Sequence, residues 1–241
     1  VATLDDLLNE LVIANRILAR EDVVDAYGHV SIRHPDNPDR YFISRSRSPA
    51  LVERGDLMEM ELDGTPVDQQ GRRMYAERHI HGAIYETRPE VQSVVHNHSM
   101  PLIPFGVTGT PIRPLCHVGS GVGPEVPIWD IRTTFGNTNM LVTTMDQGRD
   151  LAKTLGSGRA ALMRGHGAVV AGASLKEAVM VAIYLQVNAA LQTEAMRMGD
   201  VTYLTPEEEA LYCEVHFSPL SVDRAWEYFC SRAGFGQGQS G

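Results

Sequence analysis

Segments with the apolar spacing of helices alternate along this chain with short runs of strand-forming residues, and that alternation narrows the fold to a single α/β domain. Leu4, Leu7, Leu8, Leu11, Val12, Ile17 and Leu18 predict a helix over 4–20, with Thr3 and Asp6 placed as a capping box. Tyr27 to Arg33 reads as a turn into a strand. Tyr41 to Ser44 and Leu57 to Leu62 read as two more strands, and Asp63-Gly64 as a hairpin turn. A helix over 75–87 is stopped by Arg88-Pro89, and Gln92 to Asn97 follows as a strand. Pro101 to Pro114 is irregular or mixed. Residues 146–156 are helical, and strands 160–163 and 168–171 flank Arg164-Gly165-His166-Gly167. Further helices are expected over 174–198, from Thr205-Pro206 onward, and over 221–232. Neither a repeat nor a linker interrupts the pattern. Residues 1–233 are therefore expected to form one domain, with 234–241 a flexible tail.

Composition excludes several classes of function. At 241 residues the chain is long enough to bury a full core, roughly 70–75% of its unfolded surface. Its apolar share of 43% and charged share of 21% are those of an ordinary globular domain, which excludes disorder. No apolar run approaches the ~18–20 residues of a membrane span. A net charge of −9 argues against a sequence-independent nucleic-acid binder, which needs a basic surface. Lys153 and Lys176 are the only lysines beside nineteen arginines, so Schiff-base chemistry has little support while carboxylate recognition has many candidates. Cys116, Cys213 and Cys230 are widely spaced and odd in number, which suits a reducing compartment. Val1 to Asp6 carries no basic region followed by an apolar core, and the expected location is cytoplasmic.

The histidines are unevenly placed, five of nine lying between His79 and His117. His96-Asn97-His98 closes a predicted strand, where residues i and i+2 point the same way, so two imidazoles can converge on one ion. Glu77 and His81 stand at i and i+4 on the preceding helix, and Glu77 is placed to act as a metal ligand or as a general acid/base. In Arg164-Gly165-His166-Gly167, two glycines let the backbone aim one imidazole into a site. Each piece alone also reads as an ordinary strand end, helix face or turn. Together they offer three imidazoles and one carboxylate, a donor set for Zn²⁺, Mn²⁺, Fe²⁺ or Co²⁺ with positions left for substrate.

The ordered set Gly28-His29-Val30-Ser31, Glu77-x-x-x-His81, His96-Asn97-His98 and His166-Gly167 resembles the class II aldolase/adducin family over about residues 4–230. The resemblance implies an α/β/α domain with a central, mainly antiparallel sheet. It implies a homotetramer with active sites at subunit interfaces. It also implies one divalent metal ion per subunit, Mn²⁺ or Zn²⁺ with Fe²⁺ or Co²⁺ possible, held by His96, His98 and His166, with Glu77 as ligand or acid/base.

Departures from the sugar-phosphate aldolases of that family point within it. His29 stands where they carry asparagine. Ser44-Arg45-Ser46-Arg47 replaces their phosphate loop, and Tyr75-Ala76 replaces a pair of serines. His117 aligns with a tyrosine contributed by a neighbouring subunit. These replacements resemble the family's decarboxylase branch, whose substrates are dihydroxyphthalate-like or hydroxypyridine-dicarboxylate-like. The implied roles are Arg47, Arg45, Ser46 and Tyr75 in substrate binding, and Glu77, His29 and His117 in catalysis. The expected function is therefore that of a metal-dependent lyase removing CO₂ from an ortho-hydroxy aromatic dicarboxylate, in aromatic catabolism, without nucleic-acid or membrane partners. Two alternatives stand beside it: an aldolase for a non-phosphorylated or carboxylated substrate, and a non-catalytic adducin-like interaction module.

Overall fold

The expected alternation resolves, in a computed structural model that describes residues 3–236, into one mixed sheet between two helical layers. In chain order the elements are α1 (Leu4–Arg20), β1 (His29–Arg33), β2 (Arg40–Ser44), β3 (Leu57–Glu61), α2 (His79–Thr87), β4 (Ser93–Asn97), α3 (Ile103–Thr108), β5 (Ile128–Trp129), α4 (Arg132–Phe135), α5 (Met145–Leu155), β6 (Ala160–Met163), β7 (Gly167–Gly172), α6 (Leu175–Met198), α7 (Pro206–His216) and α8 (Pro219–Arg232). Among the described residues the sheet has seven strands in the order β3-β2-β1-β4-β7-β6-β5. Every neighbouring pair is antiparallel except β5 with β6.

Both faces of the central strands are buried, and strand alternation divides them between two cores. Val95, Leu162 and Val170 pack with Leu11, Ile17 and Leu18 of α1 and Val181 and Leu185 of α6. Their neighbours Val94, Ala161 and Val169 pack with Ile80 and Ile84 of α2 and Leu151 and Leu155 of α5. The face that carries Val94 also carries His96, so the sheet aims that imidazole toward α2. The close approach of α2 depends on Gly82, where a Cβ would lie 1.7 Å from the Leu62 carbonyl oxygen.

Several boundaries differ from the sequence expectation. The helix expected from residue 75 opens as a tight 3-10 turn over Ala76–Arg78 and becomes α-helical only at His79, with Glu77 at φ −93°, ψ 18°. The Asp63-Gly64 turn forms, but the returning chain pairs with β3 only through an isolated Met60–Pro66 bridge; Pro66 has no N–H to extend the ladder. The terminal helix starts at Pro219 rather than 221 because Ser218 caps it, accepting from the Ser221 N–H. The two-residue strand β5 and the short helix α4 are too brief to leave a periodic signal. Of the expected tail, residues 237–241 lie outside the described residues. No described helix is long and apolar enough to cross a membrane.

Candidate metal centre

The C-terminal end of β4, the turn before β7 and the 3-10 turn before α2 meet at one point. They bring together ligand atoms of Glu77, His96, His98 and His166, all within 4.8 Å of one another. The β6–β7 turn reaches the end of β4 because residue 167 is glycine: a Cβ there would sit 1.9 Å from the Asn97 carbonyl oxygen.

The hydrogen bonds around these side chains set their chemistry. His96 Nδ1 lies 3.1 Å from the Ala168 carbonyl oxygen, and His166 Nδ1 lies 3.0 Å from that of Met140. A carbonyl only accepts, so each Nδ1 carries a hydrogen and, in the neutral ring, each Nε2 offers a lone pair. His98 Nε2 lies 3.0 Å from both of those nitrogens. A neutral His98 can donate to at most one of them. The Glu77 Oε2 atom adds a fourth acceptor, 3.5 Å from His96 Nε2 and 3.4 Å from His166 Nε2. Lone pairs facing one another in this way fit a cation at their centre. Burial acts to raise the Glu77 pKa, but when His96 and His166 carry protons on Nε2 in place of a bound cation, their charge and hydrogen bonds to Oε2 outweigh it and hold the carboxyl well below the ordinary range. His98 is pushed down to about 4 by burial and by those same imidazoles.

His81 does not join this cluster, although the sequence places it one turn from Glu77. Its Nε2 lies 2.6 Å from His29 Nδ1, and its Nδ1 lies 2.6 Å from Ser31 Oγ. His29 is buried beside the centre, because β1 and β4 pair it directly opposite His96, with ring centroids 5.0 Å apart. Burial lowers the pKa of both His29 and His81, the latter to about 3.

The two arginines of the Ser44–Arg47 loop share one carboxylate. Arg45 Nε donates to Asp56 Oδ1 at 2.5 Å, and Arg47 Nη1 donates to Asp56 Oδ2 at 2.6 Å. Asp56 is buried and also accepts the Glu53 N–H at 2.8 Å. Burial raises its pKa, yet the Glu53 N–H and the two guanidiniums outweigh that and lower it overall. Each guanidinium spends one nitrogen on Asp56, and a fork of five donors retains others for a second carboxylate. Ser46 is fixed through its backbone N–H to the Arg73 carbonyl, and Arg45 and Ser46 line an open cleft with Arg72 and Arg73.

Tyr75 connects this loop to the centre. Its hydroxyl donates to the Arg47 carbonyl and lies 3.2 Å from Ser44 Oγ, while its ring sits 4.5 Å from that of His29, centroid to centroid. His117 opens a 3-10 turn (His117–Val122) and packs edge-on against Tyr212 of α7; among the described residues its ring stacks on neither the clustered imidazoles nor His29. Sequence reasoning missed Asp56, Tyr85, the Met140 and Ala168 carbonyls and the Val142 N–H. Only Tyr85 left a signal, standing one helical turn beyond His81.

Comparison with known proteins follows the same lines. A sequence model described as "Class II Aldolase and Adducin N-terminal domain" matches residues 9–193. The decarboxylase tropJ of Talaromyces stipitatus is 35% identical over 234 residues, covering 88% of each chain. A 3,4-dihydroxyphthalate decarboxylase of Arthrobacter keyseri is 25% identical over 232 residues, covering 92% of each. Among solved structures, an aldolase II superfamily protein from Pseudomonas syringae superposes with a TM-score of 0.80 at 22% identity, covering 97% of this chain and 94% of that one. The L-fuculose 1-phosphate aldolase of Glaciozyma antarctica superposes with a TM-score of 0.77 at 23% identity, covering 97% and 90%.

Proposed function

This chain belongs to the class II aldolase and adducin family, and on that premise we propose that it is a metal-dependent decarboxylase of an ortho-hydroxy aromatic or heteroaromatic dicarboxylate. Its decarboxylase and aldolase relatives alike break carbon–carbon bonds, and the protein is a carbon–carbon lyase. The observation that carries the finer reading is the pairing of Arg45 and Arg47 on Asp56, connected through Tyr75 and His29 to a convergent three-histidine, one-carboxylate cluster. Two guanidiniums on a loop tied through Tyr75 to His29 suit a substrate carboxylate.

His96, His98 and His166 would hold the divalent ion, with Glu77 as a fourth ligand until substrate displaces it; the family resemblance favours Mn²⁺ or Zn²⁺. When bound, the ion supplies Lewis-acid stabilisation of the negative charge left on the ring as CO₂ departs. The remaining steps belong to side chains of this protein. Arg47 and Arg45 grip the carboxylate that stays. Glu77, held ionised, takes the proton of the ring hydroxyl and returns it to the ring carbon after the carbon–carbon bond breaks. The hydroxyl then regains a proton from solvent. His29 faces the substrate from the buried side. His117 belongs to the same reaction if the protein is a homotetramer, where it would reach the centre of an adjacent subunit.

The direct test is CO₂ release from a panel of ortho-hydroxy aromatic dicarboxylates by the Mn²⁺- or Zn²⁺-loaded protein, with a chelator control. Chelator-sensitive CO₂ from one member is the expected result. Aldehyde release from a carboxylated or unphosphorylated substrate, with no CO₂ from the panel, would replace this reading with aldol cleavage. A protein that binds no metal would point to an adducin-like, non-catalytic module.

A further inference from the structure

Behind the candidate centre, four buried side chains form one unbroken line. Tyr85 OH lies 2.7 Å from Ser31 Oγ, Ser31 Oγ lies 2.6 Å from His81 Nδ1, and His81 Nε2 lies 2.6 Å from His29 Nδ1. Tyr85 and His29 are 1% and 3% exposed, and Ser31 and His81 are fully buried. The function proposed above uses only the last member.

The line admits only two proton arrangements. Each member carries one hydrogen: a phenol, an alcohol and two neutral imidazoles, buried too deeply to hold an unpaired charge. Fully buried Ser31 has, among the described residues, no partner outside the line for its own hydrogen, so its hydroxyl donates to one neighbour and accepts from the other, and a neutral imidazole donates from one nitrogen and accepts at the other. All three bonds therefore run the same way. If they run from His29 toward Tyr85, the phenol accepts from Ser31 and its own hydrogen needs another acceptor. If they run from Tyr85 toward His29, the phenol donates to Ser31 and the one hydrogen not used within the line is that of His29, on the nitrogen turned away from His81. Among the described residues the phenol oxygen has one hydrogen-bond partner, Ser31 Oγ, and at 1% exposure solvent does not replace it. A buried hydroxyl hydrogen left without an acceptor is costly, so the hydrogen of Tyr85 goes to Ser31.

We propose that Tyr85, Ser31 and His81 are positioning residues that hold His29 in the tautomer with its hydrogen on Nε2, making His29 a fixed hydrogen-bond donor to a substrate oxygen. The direction of the line leaves His29 Nδ1 as an acceptor from His81 Nε2–H. The other nitrogen is the one left for the space bounded by His96 and Tyr75, whose rings flank His29. A neutral imidazole in this tautomer cannot serve as a base at Nε2. That assigns proton abstraction to Glu77 and charge stabilisation on oxygen to His29. The assignment of a substrate oxygen rests on the lyase reading above; the tautomer does not.

The test has two arms. Two-bond ¹⁵N–¹H correlation spectra of ¹⁵N-histidine-labelled, Zn²⁺-loaded protein give the tautomer, with His29 assigned by its loss in His29→Gln. The expected pattern is Nε2–H; an Nδ1–H or doubly protonated His29 overturns the proposal whatever the activity. In the kinetic arm, His81→Leu removes the donor to Nδ1, while His81→Gln keeps an amide N–H that can replace it. The expected result is a loss in kcat of about tenfold to a hundredfold for His81→Leu, with metal content and KM within about twofold, and recovery in His81→Gln. Full activity in His81→Leu with an altered His29 tautomer also overturns it. If His81→Leu does not fold, Ser31→Ala breaks the same line one member earlier and is expected to admit the Nδ1–H tautomer. Should the wild-type protein release CO₂ from no substrate, the proposed function fails, and the spectrum alone decides the tautomer.

Discussion

Glu77 Oε1 accepts the backbone N–H of Val142 at 2.9 Å, so one oxygen of this carboxylate is held by the chain and the other is turned toward His96 and His166. The division keeps Glu77 from rotating away from the imidazoles. It also removes one lone-pair site from any ion the cluster binds, leaving Oε2 to act as a single ligand or as a base.

Metal removal follows directly from the facing lone pairs. Dialysis against a chelator should abolish activity, and one equivalent of Mn²⁺ or Zn²⁺ per chain should restore it. Free metal at a hundred times its Kd should add about 2.7 kcal/mol to the folded state, visible as a rise in Tm. Elemental analysis of His166→Ala should show well under one ion per chain; a full equivalent would remove His166 from the ligand set.

Glu77→Gln retains the shape of the side chain and loses its charge. Turnover should fall by about 10² to 10⁴, the range for a lost acid/base group, while some metal remains bound. Wild-type turnover in this variant would exclude Glu77 from proton transfer.

Arg47→Ala should raise KM by about tenfold or more with a smaller change in kcat, because it removes binding to a group that does not react. Asp56→Asn should weaken substrate binding by a similar factor without deleting either arginine, since both guanidiniums take their position from that carboxylate. An unchanged KM in both variants would refute the clamp.

His216 predicts an acid-side loss of stability away from the site. It is 5% exposed, packed by Tyr184, Tyr212 and Phe217, and its pKa falls from 6.5 to about 4 through burial and the nearby charges of His117 and Arg159. The unfolded chain takes up this proton near pH 6.5 and the folded chain does not. Stability is therefore complete above that value and declines as the pH drops toward 4. With partial solvent screening, the loss amounts to about 1–2 kcal/mol. Urea midpoints at pH 7 and pH 5 should differ less in His216→Phe than in the wild type.

Gly167→Ala tests the approach of the β6–β7 turn to the end of β4. The added Cβ would meet the Asn97 carbonyl oxygen at 1.9 Å, and backbone cannot yield there without moving His96 or His166. Destabilisation of about 1–3 kcal/mol or more is expected, together with reduced metal binding, measured by Tm and metal content.

Much of this architecture is local, and the local part is readable in the chain. The Thr3–Asp6 capping box forms as its spacing indicates, and α1 follows its apolar periodicity, burying Leu8, Leu11, Ile17 and Leu18. His96 and His98 come within 3.0 Å because i and i+2 share a strand face, whatever surrounds them. The helix face expected to be shared by Glu77 and His81 does not form, since i and i+4 spacing describes a regular helix and Glu77 lies in a tighter turn before it.

What the sequence by itself determined was the α/β layering, the helix caps and the set of histidines and acid able to meet at one point. Tertiary structure alone decided the partners that make those groups chemically distinct. Sheet register set His29 against His96, loop packing brought Met140 to His166 and Val142 to Glu77, and chain return placed Asp56 between Arg45 and Arg47. The physical reason is range. Periodicity and capping depend on dihedral angles a few residues apart, whereas these contacts join segments whose approach is set by the packing of the whole sheet.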